Sequence, residues 1–417
     1  MPAQAAAKKP NPRGIVSLLG FGTAVSLIGE STLYLILPIP HYAQSLGITL
    51  TMVGILLGAN RAVRLVTNGP VGFAYERAPK KPLLAVSLVL AAAASLIYSF
   101  GYGFWPLFVG RLVWGLGWSF QWIGCRTLIL DVSDDSNRAT LSGLYQMFFL
   151  AGVGFASFFG GLLAENLGFH IGQRISAGIL LAMAVIWYLF LPEGEPKKTS
   201  KAADRKQGKW HWQLLAPSLA TAFIMRFIER GVLAATVVLW VGSLLGDSTT
   251  LFGLTVSVTV MTGFVNVIQF LPSMANAPLI GFISDKLGKR WIVIAVTMLA
   301  IGAGLGLMSA EAAALALVGG LFVSLFRGSA ETLLPAIIGD TVRDDSAARV
   351  LGIVYIGADL GAMLGPVVSL ALLDNTGMTV REMYLLCIIL LIISAAVAFI
   401  ASRSEKGIKK SSLQAQG

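Results

Sequence analysis

The chain has 417 residues, of which 56% are hydrophobic and only 12% charged, with a mean hydropathy of +0.77 and a formal net charge of +10. A soluble chain of this size carries about a quarter charged residues, so a soluble enzyme, a secreted disulfide scaffold and a disordered chain are excluded in favour of a multi-spanning α-helical membrane protein. The basic residues lie in short loops between apolar runs, which argues against a nucleic-acid partner, and the two cysteines, Cys125 and Cys387, sit inside apolar segments and support no disulfide framework.

A helix needs ~20 apolar residues to cross a bilayer. Runs of that kind fall at 14–38, 50–74, 83–101, 104–130, 139–164 and 171–192, and again at 214–243, 253–282, 291–309, 312–339, 349–373 and 382–402. The first is too long for a signal-peptide core and is kept as a spanning helix. The expected fold is therefore all-α and integral to the membrane, with twelve transmembrane helices. Its parts are an N-terminus over 1–13, a six-helix bundle over 14–192, a linker over 193–213, a second six-helix bundle over 214–402 and a tail over 403–417. Gly246-Asp247-Ser248 is a weak punctuation mark, so 214–282 is the segment least clearly divided. Trp210 and Trp212 close the linker, where interfacial aromatics are expected.

With the first loop placed outside, alternate segments hold 22 of the 31 Lys and Arg residues on one side. Only Arg174 and Arg381 fall in loops on the other, and seven arginines lie within helices. The positive-inside bias expects both termini and the linker in the cytoplasm and a multi-pass protein of the cell (plasma or inner) membrane.

Sliding the sequence by 209 residues brings 72–168 onto 281–377 without gaps. Gly72 falls on Gly281, Lys80 on Lys289, Asp131 on Asp340, Gly143 on Gly352 and Gly152 on Gly361. Composition alone does not match charged loop motifs at one offset, so the halves read as a parallel duplication.

The loop after the second span reads Gly72-Phe-Ala-Tyr-Glu76-Arg77-Ala-Pro79-Lys80-Lys81, and its copy after the eighth reads Gly281-Phe-Ile-Ser-Asp285-Lys286-Leu-Gly288-Lys289-Arg290. These resemble the loop signature of the major facilitator superfamily, and the resemblance extends over the whole chain. In the first copy Glu76 stands for the usual Asp and Pro79 for the usual Gly. The resemblance implies that Glu76 and Asp285 latch the two halves on the inner side. It makes Asp131 and Arg138, with Asp340 and Arg349 in the repeat, their charge-relay partners. The alternative is that these are positive-inside charges alone. Arg111-Leu-Val-Trp-Gly115-Leu-Gly117 matches the family's Arg-x-x-x-Gly-x-Gly pattern, which implies a role for Arg111 in proton coupling. An exporter motif of the fifth span is degenerate here, with Ala156-Ser157 in place of Gly-Pro, whereas the repeat carries Gly361-Ala-Met-Leu-Gly365-Pro366.

A charge at a helix centre costs ~2.5–3.5 kcal/mol on insertion scales, yet eleven are retained: Glu30, Arg61, Arg64, Arg111, Arg126, Arg226, Glu229, Arg230, Arg327, Glu331 and Asp359. They lie on spans 1, 2, 4, 7, 10 and 11 and avoid the four that the resemblance implies are peripheral. A rise of ~1.5 Å per residue sets Glu30 and Arg111 at similar depths, so a pair is expected, either titrating or static. Arg61, Arg64 and Asn68 share a face of span 2 and call for an anion or acidic partners, unless Arg64 and Arg126 snorkel to the inner face. In the second half, Arg226 is expected to pair with Glu229, Arg230 with a neighbour, and Arg327 with Glu331 at i, i+4.

No metal-ligand cluster, phosphate loop or nucleophile arrangement appears, so neither enzyme activity nor a metal or other cofactor is expected. The expected function is secondary active transport of a small amphiphilic molecule by alternating access, by proton-coupled efflux or antiport, in a monomer whose partners are substrate, protons and the bilayer. Uptake or exchange of an organic anion or anionic lipid through Arg61 and Arg64 is the alternative, and a non-transporting membrane sensor the third possibility.

Overall fold

The computed structural model describes residues 11–134, 137–193, 212–251, 254–341 and 344–414. The basic linker from Lys197 to Lys209, Trp210, Arg343 and the side chains of Arg138, Asp340 and Arg349 lie outside the described residues. In lipid every backbone polar group must be satisfied within the chain, and an apolar sequence answers with helices. The first half comprises α1 (Pro12–Ile36), the short α2 (Pro40–Ser45), α3 (Leu50–Arg77), α4 (Lys80–Phe100), α5 (Phe104–Val132), α6 (Arg138–Leu167) and α7 (Phe169–Phe190). The second comprises α8 (Trp212–Arg226), a π-helical turn (Phe227–Val232), α9 (Leu233–Leu245), β1 (Ser248–Leu251), β2 (Leu254–Ser257) and α10 (Val258–Leu287). It continues with α11 (Arg290–Met308), α12 (Ala313–Phe326), α13 (Ser329–Thr341), α14 (Asp344–Thr376) and α15 (Val380–Gln414). Among the described residues α8, the π turn and α9 form one long helical element, and α12 with α13 another, giving six long ones in each half; ten of the twelve are long and apolar enough to cross a membrane, α5 and α10 being the other two.

Local signals start these helices where the sequence offers a cap. The Asn11 side chain accepts from the Gly14 amide with Pro12 in the first turn, Thr49 accepts from Met52 and Ser257 from Val260. Each half then buries its own apolar core, around Leu33, Leu88 and Trp187 in the first and Ile294, Trp291 and Leu391 in the second. The halves meet chiefly where α3 packs on α14 and α6 on α10.

Three features depart from uninterrupted helices. An antiparallel hairpin pairs Ser248 with Ser257 and Thr250 with Thr255, so the eighth span begins at Val258 rather than at 253. The β-branched Thr249, Thr250, Thr255 and Val256 favour that extended pairing. The tenth span breaks at Arg327-Gly328, where Arg327 is extended and Gly328 takes φ +82°, a conformation open to glycine without strain. The seventh widens into the π turn, a device that places one extra residue per turn and re-aims the side chains around it.

Backbone-to-backbone packing holds the π turn to α14. A methyl group on Gly365 would stand 2.4 Å from Gly231 Cα and 2.5 Å from the Phe227 carbonyl oxygen, and one on Gly361 2.2 Å from the Phe223 carbonyl oxygen. Such small-residue contacts supply much of the association of helices in lipid. Gly365→Ala is therefore expected to destabilise the second half by about 1–3 kcal/mol, seen as a lower unfolding temperature in detergent; unchanged melting would refute this packing account.

Candidate functional site: a charged cavity between the halves

A cavity of about 900 Å³ lies between the halves. Its two ends differ. Call the face where α1 begins and α7 ends the linker face, and the other the far face. Toward the far face the halves are in contact. The Asp374 carboxylate accepts from the Thr51 amide (3.0 Å) and hydroxyl (2.6 Å), and Asn375 donates to the Thr51 hydroxyl (3.1 Å). A methyl group on Gly54 would stand 2.6 Å from the Pro366 carbonyl oxygen, and one on Gly263 2.9 Å from that of Ser157. Gly263 and Pro366 stand 209 positions after Gly54 and Ser157, so the repeat recurs as a pair of equivalent contacts. Toward the linker face the same helices part: Gly69, Gly72, Gly143, Gly281 and Gly352 have no atom within 4 Å of an added methyl, and Val66 is 74% exposed.

On the first-half wall, Arg111 is 1% exposed and donates to Glu30, to the Leu56 carbonyl (2.8 Å) and to the Leu57 carbonyl (3.3 Å). Asn60 donates to the other Glu30 oxygen at 3.1 Å. Glu30 lines the cavity and Arg111 stands behind it, so the carboxylate is the member of the pair that water reaches. Arg61 and Arg64 both approach Asp359 of the opposite half at 3.8 Å, an ion pair across the α3–α14 contact where the helices begin to part. Asn68 lines the cavity one turn further toward the linker face, with its buried Oδ1 lacking a hydrogen-bond partner in the protein.

The second-half wall is built around the broken helix. Both oxygens of buried Glu229 accept from the Gly328 amide, at 3.2 and 3.3 Å, so this carboxylate caps the start of α13. The Asn276 side chain donates to the Arg327 carbonyl, satisfying the other side of the break. Arg226 pairs with Glu331 at 3.2 Å. This differs from the sequence pairing of Arg226 with Glu229 and of Arg327 with Glu331. The i, i+4 relation between the latter holds only in continuous helix, and the break at Gly328 removes it. The positive charges of Arg226, Arg230, Arg61 and Arg126 all act through space on Glu331. All of the eleven membrane charges except Arg111 line the one cavity.

The loop motifs pair within their own halves. Lys80, 2% exposed, forms an ion pair with Asp131, and its amide donates to the Glu193 carbonyl; Asp285 pairs with Arg290 at 3.2 Å. Arg77 lies over the Phe73 ring at 3.6 Å and Lys81 over Tyr188 at 5.2 Å. Glu76, Lys286 and Lys289 are exposed, and Gly288 ends α10 in the left-handed conformation.

One cavity wall was not anticipated from the sequence. Trp114, Trp118 and Trp122 stack along α5, with centroids 6.3 and 5.9 Å apart, and Arg126 follows 4.0 Å from the Trp122 ring. Their spacing of four was readable as one helix face. Among many apolar aromatics, nothing in the sequence marked that face as lining a cavity rather than meeting lipid.

The sequence profile described as Major Facilitator Superfamily matches residues 19–265 and 219–416. An MFS-type transporter of Methanocaldococcus jannaschii is 19% identical over 366 residues, covering 86% of this chain and 91% of the relative. The quinolone resistance protein NorA of Staphylococcus aureus is 23% identical over 199 residues, 46% of this chain and half the length of that relative. Among solved structures, a bacterial homolog to the human lysosomal transporter Spinster, inward-facing and occupied, superposes with a TM-score of 0.75 at 16% identity, covering 95% of this chain and 98% of that one. The nucleoside transporter NupG gives 0.73 at 12% identity, covering 95% and 100%. At these identities the structural likeness establishes the fold.

Proposed function

Because the chain belongs to the Major Facilitator Superfamily, we propose that it is a proton-coupled secondary transporter that exports a small amphiphilic molecule by alternating access. One observation carries the reading: a charged cavity at the contact of two duplicated bundles, sealed by contacts at one end and parted at the other. Rocking of the halves about such a site exposes it to each side in turn. With the linker face taken as cytoplasmic, as the basic residues favour, the described state is open inward. The acids of the two loop motifs have no part in holding that end shut: Glu76 is exposed and Asp285 pairs inside its own half, as a released latch would.

Coupling is assigned to Glu30. Its carboxylate pairs with Arg111 and faces the cavity, where both a proton and a substrate can compete for it. A substrate and a proton that compete in this way exchange across the membrane without any covalent step or cofactor. The quinolone resistance for which NorA is named supports the export reading. A second reading, uptake or exchange of an organic anion, is favoured by the excess of arginine on the cavity wall.

Purified protein in proteoliposomes tests the proposal. An imposed pH gradient is expected to drive accumulation of an amphiphilic dye, and collapse of the gradient to abolish it. Flux indifferent to the gradient would refute coupling, and absence of flux for any amphiphile or organic anion would favour a sensor instead.

A further inference from the structure

The cavity has two unlike walls. On the first half, Trp122 stands 5.4 Å from Phe149 and 5.9 Å from Trp118, and Leu27, Leu150 and Val153 complete an apolar surface. On the second, Arg230, Arg327, Gln269 and Asn276 present polar groups. A ligand seated between them meets aromatic rings, with Arg126 beside Trp122, on one side and hydrogen-bond donors on the other.

The charges on these walls do not balance. Each cavity carboxylate already has its partner: Glu30 has Arg111, Asp359 has Arg61 and Arg64, Glu331 has Arg226, and Glu229 has the Gly328 amide. Among the described residues no carboxylate lies within ion-pair distance of Arg230 or Arg327. The Nε atoms of both are buried and lack an acceptor. Arg230 feels Glu331 as well as the like charges of Arg226 and Arg327, and Arg327 feels Glu229 and Glu331, but none of these carboxylates comes within ion-pair distance of either guanidinium. A buried guanidinium Nε–H left without an acceptor is costly, and both arginines carry one on the cavity wall. An anionic group between them offsets both charges and offers acceptors to the orphaned donors.

We infer that the ligand of this cavity is an amphipathic anion, with its apolar body on Trp118, Trp122 and Phe149 and a carboxylate-, sulfonate- or phosphate-class head received by Arg230 and Arg327. The inference rests on the transport reading only in taking this cavity as the substrate's. It also separates the head from Arg61 and Arg64, which Asp359 occupies. A cation is opposed by the arginines, and a neutral ligand leaves them without a direct ionic partner.

Equilibrium dialysis of three naphthalene probes against the full chain in lipid nanodiscs, corrected with protein-free nanodiscs, provides the test. The probes are 2-naphthalenesulfonate, 2-naphthylmethylammonium and 2-naphthalenemethanol. The sulfonate is expected to bind best, and Arg230→Gln or Arg327→Gln to weaken it about tenfold while leaving the alcohol unchanged. Trp118→Leu is expected to weaken sulfonate and alcohol together, and the charge-keeping Arg230→Lys to retain the preference for the anion. The inference is overturned if the ammonium probe binds as well as the sulfonate. It is equally overturned if the glutamine variants weaken the alcohol as much, or if the lysine variant loses the preference. Competition identifies the source of the anion: displacement of the sulfonate at lower concentration by lysophosphatidate assigns a lipid headgroup, and by 2-naphthoate a soluble organic anion. Displacement by neither also overturns the inference. Anion-selective binding without flux would sink the transport reading alone, whereas gradient-driven flux without anion preference would sink this one alone.

Discussion

Glu30→Gln is expected to remove gradient-driven accumulation, lowering it to the level seen with no pH gradient, while exchange of substrate across the membrane continues. Glutamine keeps the shape and one acceptor oxygen but cannot take up and release a proton in the working pH range. Arg111 keeps its bonds to the Leu56 and Leu57 carbonyls and an acceptor oxygen on the glutamine, which offset part of the cost of losing its counter-ion. The opposite change is expected to be structural. Arg111→Leu leaves a buried carboxylate with Asn60 as its remaining donor, and breaking a buried ion pair from one side costs about 3–5 kcal/mol. Adding Glu30→Gln to Arg111→Leu should recover part of that stability, because both charges are then gone. Melting curves of the two single variants and the double variant, with flux and exchange measured on Glu30→Gln, separate the roles. Undiminished gradient-driven flux in Glu30→Gln places coupling elsewhere; equal melting of Arg111→Leu and wild type makes the pair energetically idle.

Much of this arrangement was legible in the sequence, for a physical reason. Lipid forbids uncovered backbone and penalises charge, so spans show as apolar runs and functional residues as the charges within them. Glu30 and Arg111 could be paired from depth alone, because helix rise converts residue number into height. What could not be read was lateral and local. The partner of Arg61 and Arg64 is Asp359, almost 300 residues away, brought there by packing of α3 on α14. Arg327 and Glu331 carry the spacing of a helical pair, and only the break at Gly328 shows that they do not form one. The tryptophan face of α5 has the same chemistry as a lipid-facing stripe, and the cavity that distinguishes the two is built by helices of both halves together.

Glycines on the α3–α14 contact permit the second large effect. Gly58 sits in the sealed part of the α3–α14 contact, where an added methyl would stand 2.6 Å from the Met363 carbonyl oxygen. A valine there cannot be accommodated by rotating a side chain, since the obstacle is backbone. Gly352, on the same contact but in its parted region, has no atom within 4 Å of an added methyl. If the two ends close in turn, Gly58→Val opposes the state described here and Gly352→Val opposes only its counterpart. Overpacking of about 1–3 kcal/mol corresponds to a shift of about 5- to 150-fold in the balance of the two states. Spin labels at Gln44→Cys and Ala312→Cys, exposed on the far face of the two halves, report that balance. Their separation is expected to increase in Gly58→Val and to settle at its shortest population in Gly352→Val. Both variants should lose transport, because each removes one half of the cycle while leaving the cavity residues in place. Identical distance distributions in the two variants would show that the α3–α14 contact does not govern access, and the rocking account would fail with it.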